Sequence, residues 1–187
     1  VKDGITDAVR NATLLSKYND SVMVEEQFEA HGDNIAAVIV EPAATNMGLI
    51  VPSVEFLQTL RDCCDRWGAI LIFEEVVSGF RCRYGAISDE LGITPDLTTF
   101  GKVLGGGLPI GAYGGRRQLM EQVGTKGGVF QGGSFAGNPL TMVAGAATLM
   151  ELRDGTKLEY AKKLTEKFCT ETRKSFSDHG IPFGIQS

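Results

Sequence analysis

Long apolar runs are missing from this chain of 187 residues. The longest, Ala36–Val40 and Ala69–Phe73, are strand-sized, well short of the roughly 18 residues that a membrane span needs. No membrane partner is expected. A basic stripe is missing too. The 18 basic and 23 acidic residues are scattered and leave a net charge of −5, the wrong footprint for nucleic acid. Cysteine is sparse, and two of the four, Cys63 and Cys64, are adjacent. With no CxxC or CxxxC spacing, neither a metal chelate nor a disulfide framework is expected, and the thiols point to a reducing compartment. Internal repeats and low-complexity stretches are absent. A hydrophobic share of 43% excludes a disordered or fibrous chain. The length fits one domain or one and a half, enough to bury a core. The opening Val1-Lys2-Asp3-Gly4 has neither an initiator methionine nor a signal-peptide pattern. The closing Gly184-Ile185-Gln186-Ser187 completes no element. Both ends read as cut, so the chain is expected to be part of a longer protein.

Glycine, by contrast, is plentiful: 24 residues, most of them crowded between Gly101 and Gly145. Backbone there must turn sharply or approach something closely. Around this region, strand and helix signals alternate. Strands are expected at Leu14–Tyr18, Ala36–Glu41, Ala69–Phe73, Asp96–Phe100 and Ile110–Gly114. Helices are expected from a Ser21 cap to His31, from a Ser53 cap to Trp67, near Ile87–Leu91, over Arg116–Val123, from an Asn138 cap to Leu152, and over Lys157–His179. Gly68 closes the second of these. The alternation predicts an α/β fold with a mainly parallel sheet. Continuously apolar strands predict helices on both of its faces. Composition shifts near Arg153, from apolar and glycine-rich to charged and amphipathic. A domain boundary is expected there, dividing the chain into 1–153 and 154–187.

Ligands of open parallel sheets sit at the carboxyl ends of the strands. At those ends the sequence puts Glu41 with Asn46 just beyond, then Glu74, then Lys102. Acid, amide and amine therefore converge on one rim beside glycine loops. A partly desolvated lysine becomes a nucleophile toward aldehydes. Pyridoxal phosphate is the cofactor that needs such a lysine, with an acid at the pyridine nitrogen and donors around a phosphate. Gly132-Gly133-Ser134, ahead of the Asn138 helix, offers backbone N–H groups for that phosphate. Plainer readings exist. Lys102 alone is an ordinary surface lysine. Glu74 and Glu75 suit a strand end paired with Arg81 or Arg83, and Gly105–Gly107 a turn. The residues by themselves leave these alternatives open.

The motifs taken together narrow the choice. They are IVEP (39–42), NMG (46–48), LIFEEVVSGFR (71–81), PDLTTFGKVLGGGLP (95–109), GAYGGRR (111–117) and GSFAGNPL (133–140). In this order and spacing the chain resembles the class III pyridoxal-phosphate aminotransferases, over nearly its whole length. The resemblance implies fold type I, with 1–153 as part of the cofactor-binding large domain and 154–187 as the start of the small one. It implies Lys102 as the Schiff-base lysine and catalytic proton carrier. Asn46 would meet the cofactor's phenolic oxygen, Val76 would pack on its ring, and Gly133 and Ser134 would reach the phosphate of the partner's cofactor across a homodimer. No metal is implied. The implied activity is the conversion of glutamate-1-semialdehyde to 5-aminolevulinate, in tetrapyrrole biosynthesis, in the cytoplasm or a plastid stroma. Another class III amino transfer is the alternative, and a non-catalytic homologue or truncated product is the alternative of a different kind. One departure stands out. The family has aspartate where this chain has Glu74, one methylene and roughly 1.5 Å longer. Either the longer side chain bends to fit or turnover suffers.

Overall fold

The computed structural model describes residues 3–124 and 127–186. Val1, Lys2 and Ser187, on which part of the reading of the chain ends falls, lie outside the described residues. Four strands form one sheet in the order β1 (Ala37–Val40), β2 (Ile70–Glu74), β3 (Leu97–Gly101) and β4 (Gly111–Gly115). β1, β2 and β3 run parallel, and β4 returns antiparallel to β3. Four of the five expected strands thus form, shifted by a residue or so at their ends. The sheet is therefore mainly parallel, as the alternation of strand and helix signals predicts.

The register decides which face is core. Val38 lies beside Leu71, and Val40 beside Phe73. Leu71 and Phe73 are fully buried, and Val38 and Val40 pack against the same cluster. The cover on that face is helical. Helix α2 (Ser21–His31) contributes Val24 and Phe28; helix α3 (Val54–Trp67) contributes Phe56, Leu57, Leu60, Cys63 and Cys64. Burial pushes the Cys64 thiol up to about 12, so it packs as an inert apolar group. On the other face Ile39 is 65% exposed, and Ile72, Glu74 and Thr99 share that side by register.

Helix α3 starts and stops as its sequence dictates. Ser53 Oγ accepts from Phe56 N–H at 3.1 Å, and Gly68 closes the end in the left-handed region at φ 72°. In α2 the cap is Asp20 rather than Ser21, because the longer carboxylate reaches Met23 N–H at 3.1 Å. Gly32 continues α2 into a 3₁₀ turn (Gly32–Asn34). A short helix α1 (Asp7–Asn11) was not foreseen.

Leu14–Tyr18 forms no strand. Its backbone bonds to side chains instead: Gln27 Nε2 donates to Leu15 O at 2.8 Å, and Lys17 N–H points to Met23 Sδ. Beyond β2 comes the short helix α4 (Ser88–Leu91). Helix α5 (Arg117–Met120) is shorter than expected. The chain there turns back, with Gly124 N–H donating to Val129 O and Val129 N–H to Gln122 O. Helices α6 (Pro139–Leu152) and α7 (Thr156–Asp178) follow, separated at Gly155, whose φ of 75° breaks the helical path.

Candidate active site

The parallel strands end at one rim. Residues just past β1, at the end of β2 and just past β3 are Glu41, Glu74 and Lys102. Their surroundings give each a separate task.

Glu41 is a turn organiser. Its Oε2 accepts from Thr45 N–H and Thr45 Oγ1, both at 3.1 Å, and Oε1 takes Asn46 Nδ2 at 3.5 Å. The carboxylate thereby holds the 3₁₀ turn Thr45–Met47, with Asn46 exposed upon it. Tyr18 Oη donates to the Glu41 carbonyl at 2.8 Å. Burial, aided by the Glu41 charge and opposed by the Ala44 backbone, pushes this phenol up to about 12.

Glu74 and Glu75 point to opposite faces, as strand neighbours must. Glu74 Oε1 accepts from Val76 N–H at 2.7 Å. The extra methylene is thus taken up by a side chain curled against its own backbone. Glu75 is fully buried. Its Oε2 accepts from Ile87 N–H at 2.7 Å and Ser78 Oγ at 3.3 Å, and its Oε1 from Ser88 N–H at 3.3 Å. Burial pushes its carboxyl above the ordinary range, against the pull of these donors. Neither glutamate pairs with Arg81 or Arg83. Arg81 Nε donates to Val77 O at 2.9 Å, and Arg83 meets Asp89.

Lys102 opens the 3₁₀ turn Lys102–Gly105 with a φ of 43°. A lysine in the left-handed region stores strain of about 1–3 kcal/mol. Neighbouring elements hold it there. A Cβ on Gly101 would meet Val76 Cγ1 at 3.1 Å, and one on Gly105 would meet Ile110 Cγ2 at 2.9 Å. From the other side α6 presses close enough that a Cβ on Gly145 would lie 2.5 Å from Leu104 O. Lys102 lines a cavity of about 610 Å³ with Arg81 and the apolar Val76, Val103, Leu108 and Ile110. Thr99, register partner of Glu74, has its Oγ1 buried without a hydrogen-bond partner among the described residues.

So the structure brings Lys102 and Val76 into one cavity and ties Glu74 to Val76. It does not bring Asn46, Gly133 or Ser134 to that cavity. Asn46 stands at the β1 corner of the rim. Gly133 and Ser134 lie on an exposed loop ahead of α6. The start of α6 is closed by its own cap, because Asn138 Oδ1 accepts from Leu140 N–H at 3.0 Å and Thr141 N–H at 3.3 Å. Those donors are therefore spent within the chain. Sequence reading had no view of the strain at Lys102 or of Arg81 as its neighbour. Only the closeness of both motifs to strand ends hinted at the latter. A second cavity, of about 650 Å³, runs along β1 between Leu14–Tyr18 and Ile35–Glu41, and Lys102 has no part in it.

The chain is similar to known proteins over most of its length. The glutamate-1-semialdehyde 2,1-aminomutase of Nitratidesulfovibrio vulgaris (strain DSM 19637 / Miyazaki F) is 47% identical over 184 residues, which is 98% of this chain and 43% of that protein. The chain therefore spans less than half the length of this relative. Among solved structures, an omega-transaminase from Sphaerobacter thermophilus superposes with a TM-score of 0.89 at 34% identity, over 100% of this chain and 43% of that one. A transaminase with PLP bound gives a TM-score of 0.89 at 33% identity, over 95% of this chain and 42% of that one. The model of the aminotransferase class-III family matches residues 4–180. The chain belongs to the class III aminotransferases.

Proposed function

We propose that the polypeptide containing this chain is a pyridoxal-phosphate-dependent glutamate-1-semialdehyde 2,1-aminomutase, making 5-aminolevulinate for tetrapyrroles. The observation that carries the reading is Lys102, held in a strained conformation at a strand end, in a cavity walled by Val76. Strain kept at one lysine by its neighbours is a mark of a functional position. The residues present fit the cofactor. A carboxylate stands one residue from the apolar wall, and the buried Thr99 hydroxyl lacks a partner beside it. When bound, pyridoxal phosphate supplies an aldehyde that carries nitrogen and a ring that withdraws electrons.

The chain's own groups divide the work. Lys102 Nζ is the amine for the aldehyde and moves the proton at the reacting carbon. Glu74 would face the pyridine nitrogen, with Val76 N–H fixing its carboxylate. Val76 excludes water from one ring face. Asn46, steadied by Glu41 at the β1 corner of the rim, would donate to the phenolic oxygen of a bound cofactor. Gly133 and Ser134 serve the partner's phosphate in a homodimer, a reading that their exposure on a loop supports. We assign 1–153 to the large domain and 154–187 to the small one, at the break marked by Gly155. Four free thiols support a reducing compartment, the cytoplasm or a plastid stroma.

A second reading, an ordinary class III transaminase, is favoured by the structural neighbours, which are named as transaminases. One experiment tests both. The full-length protein, Lys102→Ala and Glu74→Asp are titrated with pyridoxal phosphate and scanned in the visible. A band lost only in Lys102→Ala, and bleached by an amino donor, supports the cofactor assignment. Formation of 5-aminolevulinate from glutamate-1-semialdehyde without a second substrate then selects the mutase. Absence of a Lys102-dependent band, even with Glu74→Asp, would leave a non-catalytic homologue.

A further inference from the structure

The cavity at Lys102 contains a second cation that the proposed chemistry does not use. Arg81 lines it with Lys102, and the remaining lining residues are uncharged. Two cations thus face one cavity whose lining offers no carboxylate. The other arginines of this half of the chain are engaged: Arg61 and Arg116 with Asp96, Arg66 with Glu29, Arg83 with Asp89. Arg81 meets no carboxylate within 4.0 Å among the described residues, and its one side-chain hydrogen bond runs from Nε to Val77 O. That bond fixes the base of the guanidinium and leaves both Nη groups to a ligand. A planar fork with two free N–H groups is the donor set that suits a carboxylate.

The loop that carries Arg81 is built to hold it. Phe80, immediately before, has a φ of 58°, a conformation that a bulky side chain rarely adopts. Its ring is pinned between Tyr84 and Phe100, at centroid distances of 5.5 and 5.6 Å. Phe80 N–H donates to Gly85 O at 2.9 Å, and Arg81 N–H to Ser78 O at 3.1 Å. Gly79 lets the turn pack, since a Cβ there would meet Phe100 Cδ1 at 2.6 Å. Glu75, fully buried, ties both ends of the loop through Ser78, Ile87 and Ser88. Packing around Phe80, the backbone hydrogen bonds and the buried Glu75 therefore fix the backbone that carries the exposed Arg81.

We propose that Arg81 is a specificity-determining residue that binds a carboxylate of the amino substrate in the Lys102 cavity. The proposal rests on the functional reading above and narrows it to substrates with an amino or aldehyde carbon at one end and a carboxylate at the other. Arg81 does not touch the reacting atoms. It sets which end of the substrate faces away from Lys102.

The test uses the full-length protein with Arg81→Gln and Arg81→Lys. Pentanoate is the carboxylate probe, with its Kd measured by calorimetry. Pentylamine is the probe without a carboxylate, followed by the change it causes in the cofactor band. Thermal unfolding checks that each variant folds. Losing a charged hydrogen-bond partner costs on the order of tenfold or more in affinity. The expected result is therefore pentanoate binding at least about tenfold weaker in Arg81→Gln, partly kept in Arg81→Lys, with pentylamine unaffected. Unchanged pentanoate binding in a folded Arg81→Gln would overturn the proposal. So would weakened pyridoxal-phosphate affinity with pentanoate unchanged, since Arg81 would then serve the cofactor's phosphate. A missing Lys102-dependent band would sink the cofactor reading alone, because calorimetry of pentanoate needs no cofactor chemistry.

Discussion

The backbone N–H of Val76 donates to Glu74 Oε1 at 2.7 Å. This bond answers the question that the glutamate raises. The longer side chain curls back onto the backbone two residues on, which engages one oxygen and leaves the other without a hydrogen bond among the described residues. Charge and hydrogen bond can be separated by mutation. In Glu74→Gln the amide oxygen still accepts from Val76 N–H, but the charge is gone. Stability should stay within about 0.5 kcal/mol of the parent. Exchange of cofactor nitrogen with an amino donor should slow by on the order of a hundredfold, the usual scale for losing one electrostatic partner of a reacting centre. Stopped-flow bleaching and a thermal melt read the two effects. Equal exchange rates in the parent and Glu74→Gln would remove Glu74 from the site.

The strain at Lys102 makes a second prediction, independent of any cofactor. Lys102→Ala deletes the amine but keeps a Cβ at a φ of 43°. Lys102→Gly deletes both. Glycine accepts the left-handed region freely, while its extra freedom in the unfolded chain offsets part of the gain. Lys102→Gly should therefore be more stable than Lys102→Ala by about 1 kcal/mol. Urea unfolding of the two variants measures this directly. Equal midpoints would mean that the backbone there carries no strain.

Much of this was legible from the residues, for definable reasons. Ser53, the apolar spacing of Phe56, Leu57, Leu60 and Cys64, and Gly68 all point to one helix, and α3 is that helix. The strand ends that carry Glu41, Glu74 and Lys102 follow from apolar runs of strand length. The failures have a common cause: competition for backbone groups by side chains far away in sequence. Leu14–Tyr18 has a strand's composition, but Gln27, twelve residues on from Leu15, takes its carbonyl. Asp20 outcompetes Ser21 for Met23 N–H because it reaches farther. The curl of Glu74 and the φ of Lys102 depend on tertiary neighbours, so no local pattern reports them. Asn138 was read correctly as a cap, yet the consequence was missed: by capping α6 it occupies the amides that a phosphate would otherwise find there.

Packing behind Lys102 is as tight as the site in front. A Cβ on Gly145 would lie 2.5 Å from Leu104 O, inside the turn that carries the lysine. Gly145→Ala must push α6 away from Lys102–Gly105. Overpacking of this kind costs about 1–3 kcal/mol. The variant should melt lower and, in full-length protein, bind pyridoxal phosphate more weakly. Gly155→Ala, three residues past the end of α6 and with nothing within 4 Å of its added Cβ, is the comparison. Its cost comes from its φ of 75° alone, so cofactor affinity should hold.

Among the described residues, Asp96 and Glu75 are the two buried carboxylates, and they should drive stability in opposite directions with pH. Burial pushes Asp96 up, but Arg116, Leu71 N–H and Arg61 together outweigh it and hold the carboxyl below the ordinary range. A lowered folded value contributes stability that is present above the unfolded value, about 3.9, and is lost as pH falls through the folded one. Asp96→Asn should therefore be destabilised by about 3 kcal/mol at neutral pH, since Arg61 keeps only the exposed Asp65. The gap to the parent should shrink below about pH 4.

For Glu75 the sign reverses. Its folded value is raised, with burial as the largest cause. The ionised form is the one that folding disfavours, so the parent gains stability as pH falls through the raised value. Glu75→Gln has no such titration. One amide oxygen can take Ile87 N–H, while Ser88 N–H loses its acceptor. The difference between Glu75→Gln and the parent should therefore move in the parent's favour as the solution is acidified from neutral. That is the opposite trend to Asp96→Asn. Glu75→Ala leaves both amides and Ser78 Oγ unmet inside the protein and should cost about 2–3 kcal/mol more than Glu75→Gln at every pH. Urea midpoints for the three variants across pH 3–8 decide the matter. Parallel trends for Glu75→Gln and Asp96→Asn would show that Glu75 is not held above its ordinary range, and that the loop before α4 is anchored by something other than its carboxyl.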